Sequence, residues 1–216
     1  MRLALAFILV MSAAACCAAE KKDTDSVLSS EDKACLLNLA RQTLSRHLKG
    51  GSVPNFQENG LSDGVKRKLG CFVTLNNKKD GLRGCIGTFT RSRPLYSNVV
   101  SLAVSAAHDR RFRGDPVAYE ELEQITIEIS VLTRPRELSF ASPDNLLKQL
   151  RHGKDGVILY TRYGNSTYLP QVWAHIPDKA VFLSRLCRKH GAPPDTWRKD
   201  FKNIKVEIYE AIVFHE

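Results

Sequence analysis

Residues 72–76 and 82–90 are two β-prone runs joined by Asn77-Lys78-Lys79-Asp80-Gly81. A short polar connection closed by Asp-Gly is hairpin chemistry, and a hairpin makes its two strands antiparallel. If Asn76 pairs with Leu82, Val73 lies opposite Cys85 and Cys71 falls diagonally on the same face. In an oxidising compartment that arrangement invites a Cys71–Cys85 disulfide. The second strand reads Leu82-Arg83-Gly84-Cys85-Ile86-Gly87-Thr88-Phe89 and sets one thiol between two glycines, with a guanidinium two residues upstream. Glycines lack a Cβ and let backbone or ligand approach closely. An adjacent arginine favours the thiolate, the nucleophilic form of cysteine. The alternative is a tight strand with a small buried thiol.

The rest of the chain alternates irregularly between helix and strand patterns. Ser30 with Glu31 and Asp32 opens a helix whose stripe is Leu37, Ala40, Leu44 and Leu48, ended by Gly50-Gly51. Residues 55–66 look irregular, and residues 95–108 form an apolar, alanine-rich helix. Residues 125–132 alternate as a strand, and Ser142 and Pro143 begin a helix over residues 142–151. Short strands over residues 157–161 and 167–169 flank a turn at Tyr163-Gly164-Asn165. A helix over residues 178–190 stops at Gly191, and residues 205–214 alternate as one last strand. Strands and helices mixed in this way point to an α+β fold with a mainly antiparallel sheet.

The motifs closely resemble the AMMECR family, the protein A component of the AmmeMemoRadiSam system. Besides the signature at residues 82–89, the resemblance rests on Phe72-Val73-Thr74-Leu75, Asp109-Arg110-Arg111-Phe112, Pro116-Val117 and Glu121-Leu122. It continues through Ile127-Glu128-Ile129-Ser130-Val131-Leu132, Gly153-Lys154-Asp155-Gly156-Val157-Ile158-Leu159 and Leu169-Pro170-Gln171-Val172-Trp173. Phe182-Leu183, Leu186-Cys187, Lys189-His190-Gly191 and Trp197 complete it, over about residues 30–216. The resemblance implies a barrel-like sheet with flanking helices and a pocket beside the signature strand. It also implies a shared pathway with a Memo-type protein and a radical S-adenosylmethionine protein. It fixes no activity.

Met1-Arg2, an apolar run over residues 3–11 and the small residues 12–19 read as an export signal too short to span a membrane. Residues 20–29 then form a polar linker before one domain over residues 30–216. Cleavage near Ala19 makes a free periplasmic or secreted protein, and cleavage before Cys16 makes a lipid-anchored one. Membrane attachment is expected only in the second case, and N-terminal sequencing of the mature protein decides between them. Net charge is +9, in short dispersed clusters such as Lys66-Arg67-Lys68 without aromatic interleaving, so a nucleic-acid partner is not expected. A small anionic ligand suits the charge better.

No metal spacing and no glycine-rich phosphate loop is present, so neither a metal nor another cofactor is expected. Cys85, Arg83 and Glu128 are the catalytic candidates for a thiol-dependent enzyme acting on a small anionic or carbonyl substrate. Asp109, Arg111, Ser130 and Gln171 are the binding candidates for a non-catalytic ligand- or protein-binding module. Glu128 sits in an apolar strand with Ser130 on its face, and Arg83 or Arg111 are its natural partners. His108 closes its helix and is the candidate base if it faces the sheet. Asp109 and Arg111 read rather as an ion pair that fixes a loop, and Lys189 as a complement to its helix dipole.

Overall fold

The computed structural model describes residues 28–216 except 54, 55, 57 and 80. The expected export signal over residues 1–19, with Cys16, and residues 20–27 of the expected linker lie outside the described residues. The first helix, α1, runs Ser30–Leu48. Its cap is Ser29 rather than Ser30, because the Ser29 hydroxyl accepts from the Asp32 amide while the Asp32 carboxylate accepts from the Ser29 amide. Leu28 is buried in the core, so the folded domain begins before residue 30.

Among the described residues, helices α2 (Asp63–Lys66), α3 (Leu95–Ala107), α4 (Pro143–Gln149), α5 (Lys179–Lys189) and α6 (Thr196–Lys199) alternate irregularly with eight strands. Strands β1 (Cys71–Asn77), β2 (Gly81–Thr88), β3 (Ile125–Leu132) and β8 (Ala211–His215) form one antiparallel sheet in the order β2-β1-β3-β8. Strands β4 (Arg136–Glu137), β5 (Gly156–Thr161), β6 (Gly164–Tyr168) and β7 (Lys205–Tyr209) form the second, ordered β4-β7-β5-β6.

One ribbon passes through both sheets: β3 pairs with β8 in the first and β4 pairs with β7 in the second. At the crossing the Thr133 amide donates to the Glu210 carbonyl at 2.9 Å, and the Glu210 amide donates to the Thr133 hydroxyl at 2.8 Å. The single last strand expected over residues 205–214 is therefore two strands divided at Glu210. The same division answers the barrel expectation. The ribbon bends out of one sheet into another, and among the described residues the fold is α+β with two four-stranded sheets and no closed barrel.

Each sheet carries its helices on one face. Leu36, Leu44 and Leu95 from α1 and α3 meet Val73, Leu75, Ile127 and Ile129 of the first sheet. Leu146, Phe182, Leu186 and Trp197 from α4, α5 and α6 meet Val157, Leu159 and Ile208 of the second, with Trp173 stacked on Phe182 at 3.7 Å. The remaining faces turn toward each other through Phe72, Phe89, Ile158, Tyr160 and Tyr209. Phe89 meets Tyr209 edge-on at 5.0 Å. Among the described residues no helix is long and apolar enough to cross a membrane.

The hairpin register differs from the expected one at a single residue. Asn76 does pair with Leu82, but the next pair is Leu75 with Gly84, which leaves Arg83 in a bulge. A one-residue shift moves every later side chain to the opposite face. Cys85 therefore lies opposite Thr74, and Val73 opposite Ile86. Cys71 is buried with Val73 and Leu75 under the helices, while Cys85 turns to the inter-sheet side. The Cys71–Cys85 disulfide is excluded by this geometry, and all four described cysteines are free thiols.

Candidate functional site

The inter-sheet face of the first sheet carries a polar row. Directly paired residues place Cys85, Thr74, Glu128 and His215 side by side on β2, β1, β3 and β8. The next row is Gly87, Phe72, Ser130 and Val213. Gln171 reaches this face from the 3₁₀ turn Pro170–Ala174. Its Nε2 donates to Ser130 Oγ at 2.9 Å and to Glu128 Oε1 at 3.3 Å. Glu128 is thus held by Gln171, and among the described residues the two arginines expected as its partners pair elsewhere, Arg83 with Glu121 and Arg111 with Asp109. The Gln171 Oε1 is buried without a hydrogen-bond donor.

Asp109 and Arg111 close the outer edge of β2 as a neighbouring strand would. The Cys85 amide donates to Asp109 Oδ2 at 3.0 Å, and Arg111 Nη2 donates to the Cys85 carbonyl at 3.2 Å. The two side chains are joined by an ion pair of 2.5 Å, and Asp109 also accepts from the Arg111 amide at 3.0 Å. Burial opposes ionisation of Asp109, but hydrogen bonds from the Arg111 side chain and from the Cys85 and Arg111 amides win. Its pKa settles at about 2.

Arg83 serves a different purpose from the one its spacing suggests. Nε and Nη2 donate to the two oxygens of Glu121 at 3.0 and 2.9 Å, and Nη1 donates to the Asp115 carbonyl at 3.0 Å. The guanidinium is buried and lies 5.7 Å from the Phe112 ring. Arg83 fastens the loop after α3 to β2; the arginine whose charge reaches the thiol is Arg111. The flanking glycines also serve packing. A Cβ on Gly84 would collide with the Ala106 carbonyl of α3, and one on Gly87 with the Phe72 ring.

The Cys85 thiol accepts from Thr74 Oγ1 at 3.3 Å. Burial pushes its pKa up, and the carboxylates of Asp109 and Glu128 add to that push. The Thr74 hydrogen bond and the Arg111 charge act against it without reversing it. At neutral pH the group is a thiol. His108 does not face the sheet: it is exposed at the end of α3, with its Nε2 2.8 Å from that of His47.

Three residues of the site stand outside the catalytic and binding candidates named from the sequence. Thr74 reaches the thiol only because of the bulge at Arg83. Tyr209 is buried with its ring over Gly156; its hydroxyl donates to the Tyr168 carbonyl at 3.1 Å and lies 2.9 Å from Thr167 Oγ1. Lys189 does more than complement a helix dipole. Its Nζ donates to the Thr167 carbonyl at 2.8 Å and lies 4.8 Å from the Tyr168 ring centroid. Burial holds its pKa down, and the Arg111 charge lowers it further, against an opposing pull from Cys85. Arg111 and Lys189 are both solvent-exposed cations, one from each half of the fold, and the Arg111 charge bears on Lys189. Among the described residues no three metal-ligating side chains converge.

Fold and site together define an α+β protein of two helix-backed sheets whose facing sides carry a polar row, with Arg111 and Lys189 exposed beside it. The chain belongs to the AMMECR1 family, whose model matches residues 37–214. A protein from Methanothermobacter thermautotrophicus is 37% identical over 193 residues, covering 88% of this chain and 96% of that one. One from Methanopyrus kandleri is 35% identical over 198 residues, covering 88% and 90%. The crystal structure of an uncharacterised protein from Pyrococcus horikoshii superposes with a TM-score of 0.76 at 33% identity, covering 84% of this chain and 90% of that one.

Proposed function

We propose that the protein is a binding module whose inter-sheet cleft takes a small anionic ligand between Arg111 and Lys189, over the Cys85 thiol. The observation that carries this reading is the unequal pairing of the two cations. Arg111 has Asp109, whereas among the described residues Lys189 has a carbonyl oxygen and an aromatic face and no carboxylate. Two like charges lower the cost of binding an anion, because it relieves their repulsion. The polar groups of Thr74, Ser130, Glu128 and Gln171, on the same sheet face as Cys85 or against it, offer hydrogen bonds for orientation. Covalent catalysis by Cys85 is less well supported. Its pKa is raised, its close polar contact is a hydroxyl that donates to it, and Arg83 is committed to Glu121.

Thermal unfolding with inorganic phosphate, sulfate and succinate tests the proposal. A ligand at a hundred times its Kd adds about 2.7 kcal/mol to stability. Stabilisation is expected at neutral pH and is expected to disappear in Lys189→Met. It should also fade as pH rises through the lowered pKa of Lys189, since the protonated amine is the one that holds the anion. Equal stabilisation of wild type and Lys189→Met would end the assignment.

A further inference from the structure

A groove of about 680 Å³ runs between α5 and α6 on the side of α5 away from the second sheet. It is lined by Arg185 and Arg188 from α5 and Arg198 from α6, with Val181, Ser184 and Trp197 between them. Asp195 also lines it, but that carboxylate is held by Lys199 at 2.6 Å. Among the described residues none of the three arginines has a carboxylate partner; Arg198 lies 4.7 Å from the Trp197 ring centroid. Arg185 and Arg188 are three residues apart, so they project from neighbouring points of one helix face. Val181, one turn before Arg185, is 44% exposed and adds an apolar contact at the rim.

We infer that this groove docks an acidic segment of a partner protein, with its carboxylates on Arg185, Arg188 and Arg198 and an apolar side chain on Val181. Guanidinium groups present a fixed fork that matches carboxylates two bonds at a time, and arginine is enriched at protein interfaces. The match is one of charge: three cations without acids call for a ligand that brings them. Nucleic acid fits less well, because strand binding uses exposed aromatic faces and Trp197 is 2% exposed. The site is separate from the inter-sheet cleft and does not depend on the reading proposed for it. The three arginines are spread over fourteen residues among other charges, which is why they form no basic run in the sequence.

The test uses the full chain and a fluorescein-labelled peptide of glutamates around one leucine, read by polarisation. A thymidine oligonucleotide and vesicles of phosphatidylglycerol in phosphatidylcholine serve as competitors. The peptide is expected to bind and to weaken by tenfold or more in Arg185→Gln/Arg188→Gln. It should weaken less than twofold in Lys66→Gln/Lys68→Gln, which removes the same charge elsewhere. Arg185, Arg188 and Lys68 are solvent-exposed and Lys66 is partly so, and unchanged melting temperatures would show that both variants fold. Equal weakening in the two double variants would reduce the effect to net charge and overturn the proposal. Displacement of the peptide by the oligonucleotide or vesicles at lower concentration than by unlabelled peptide would also overturn it.

Discussion

On β1, Cys71, Val73 and Leu75 turn toward the helices, while Phe72, Thr74 and Asn76 turn toward the second sheet. On β3 the same alternation sets Ile127, Ile129 and Val131 against Glu128 and Ser130. The helix-covered face is apolar and closed. Each fully buried aliphatic side chain there contributes about 1.5 to 3 kcal/mol. The inter-sheet face places a thiol, two hydroxyls, an amide and a carboxylate within reach of one another. Hydrogen bonds among such groups add only about 0.5 to 1.5 kcal/mol each. An apolar inner face would stabilise two sheets more, and this difference is what supports the proposed ligand there. The device that keeps the faces distinct is the bulge at Arg83, which puts Cys85 on the polar side.

Gly84 gives the largest break. Gly84→Ala drives a methyl into the Ala106 carbonyl, a backbone atom of a packed helix that cannot give way. About 3 kcal/mol of destabilisation is expected from overpacking on the closed face. Gly87→Ala meets the Phe72 ring on the inter-sheet face, where a side chain can move, and should cost about 1 kcal/mol. Urea midpoints of the two variants measure the difference. If Gly87→Ala proves as costly as Gly84→Ala, the faces do not differ in rigidity.

Arg83→Ala comes next, at about 2 kcal/mol, because it removes charge-assisted hydrogen bonds that tie the loop after α3 to the bulge. The Arg83 hydrogen bond, backed by the Ala118 amide, holds the Glu121 pKa below its ordinary value. A carboxylate depressed in the folded state stabilises above its unfolded pKa and loses that contribution as pH falls through the folded one. Wild type should therefore lose stability on acidification below about pH 4.3, the ordinary glutamate value. Arg83→Ala should show a shallower slope there. Equal slopes in equilibrium unfolding from pH 6 to 3 would remove the link between Arg83 and Glu121.

The elements themselves were mostly readable. The hairpin turn, the strand at residues 125–132 and the Ser142 cap followed from turn chemistry, alternation and capping. Two local events were not. The bulge leaves no trace in the pattern Leu82-Arg83-Gly84-Cys85, because arginine fits a regular strand edge as well as a bulge; it is settled by Glu121, far along the chain. The division at Glu210 is hidden because residues 205–209 and 211–215 alternate in phase with one long strand, and only the Thr133 bonds mark the bend. For the site, Gln171, Glu128 and Ser130 do meet, while Arg83 points elsewhere and Lys189 enters from the other half through the packing of α5 on β6. Long-range packing of this kind has no local signature.

The smallest expected effect separates the two thiols of the hairpin. Cys71 is fully buried on the helix side, and burial alone pushes its pKa to about 12. Cys85 is only partly buried, and its pKa is raised less simply, with Thr74 and Arg111 acting against burial. Cys71→Ser places a hydroxyl where no partner waits and should cost about 2 kcal/mol. Cys85→Ser keeps the Thr74 donor and should cost under about 1 kcal/mol. Iodoacetamide should label Cys85 slowly in the folded protein, at a rate that keeps climbing with pH beyond the usual thiol range near 8.5. Cys71 should label only on unfolding. A Cys85 rate already at its plateau at neutral pH would mean a stable thiolate, and would move the balance from binding module back to thiol enzyme. A Cys71 that labels as fast as Cys85 in the folded state would show that the two faces are not separated by the bulge at all.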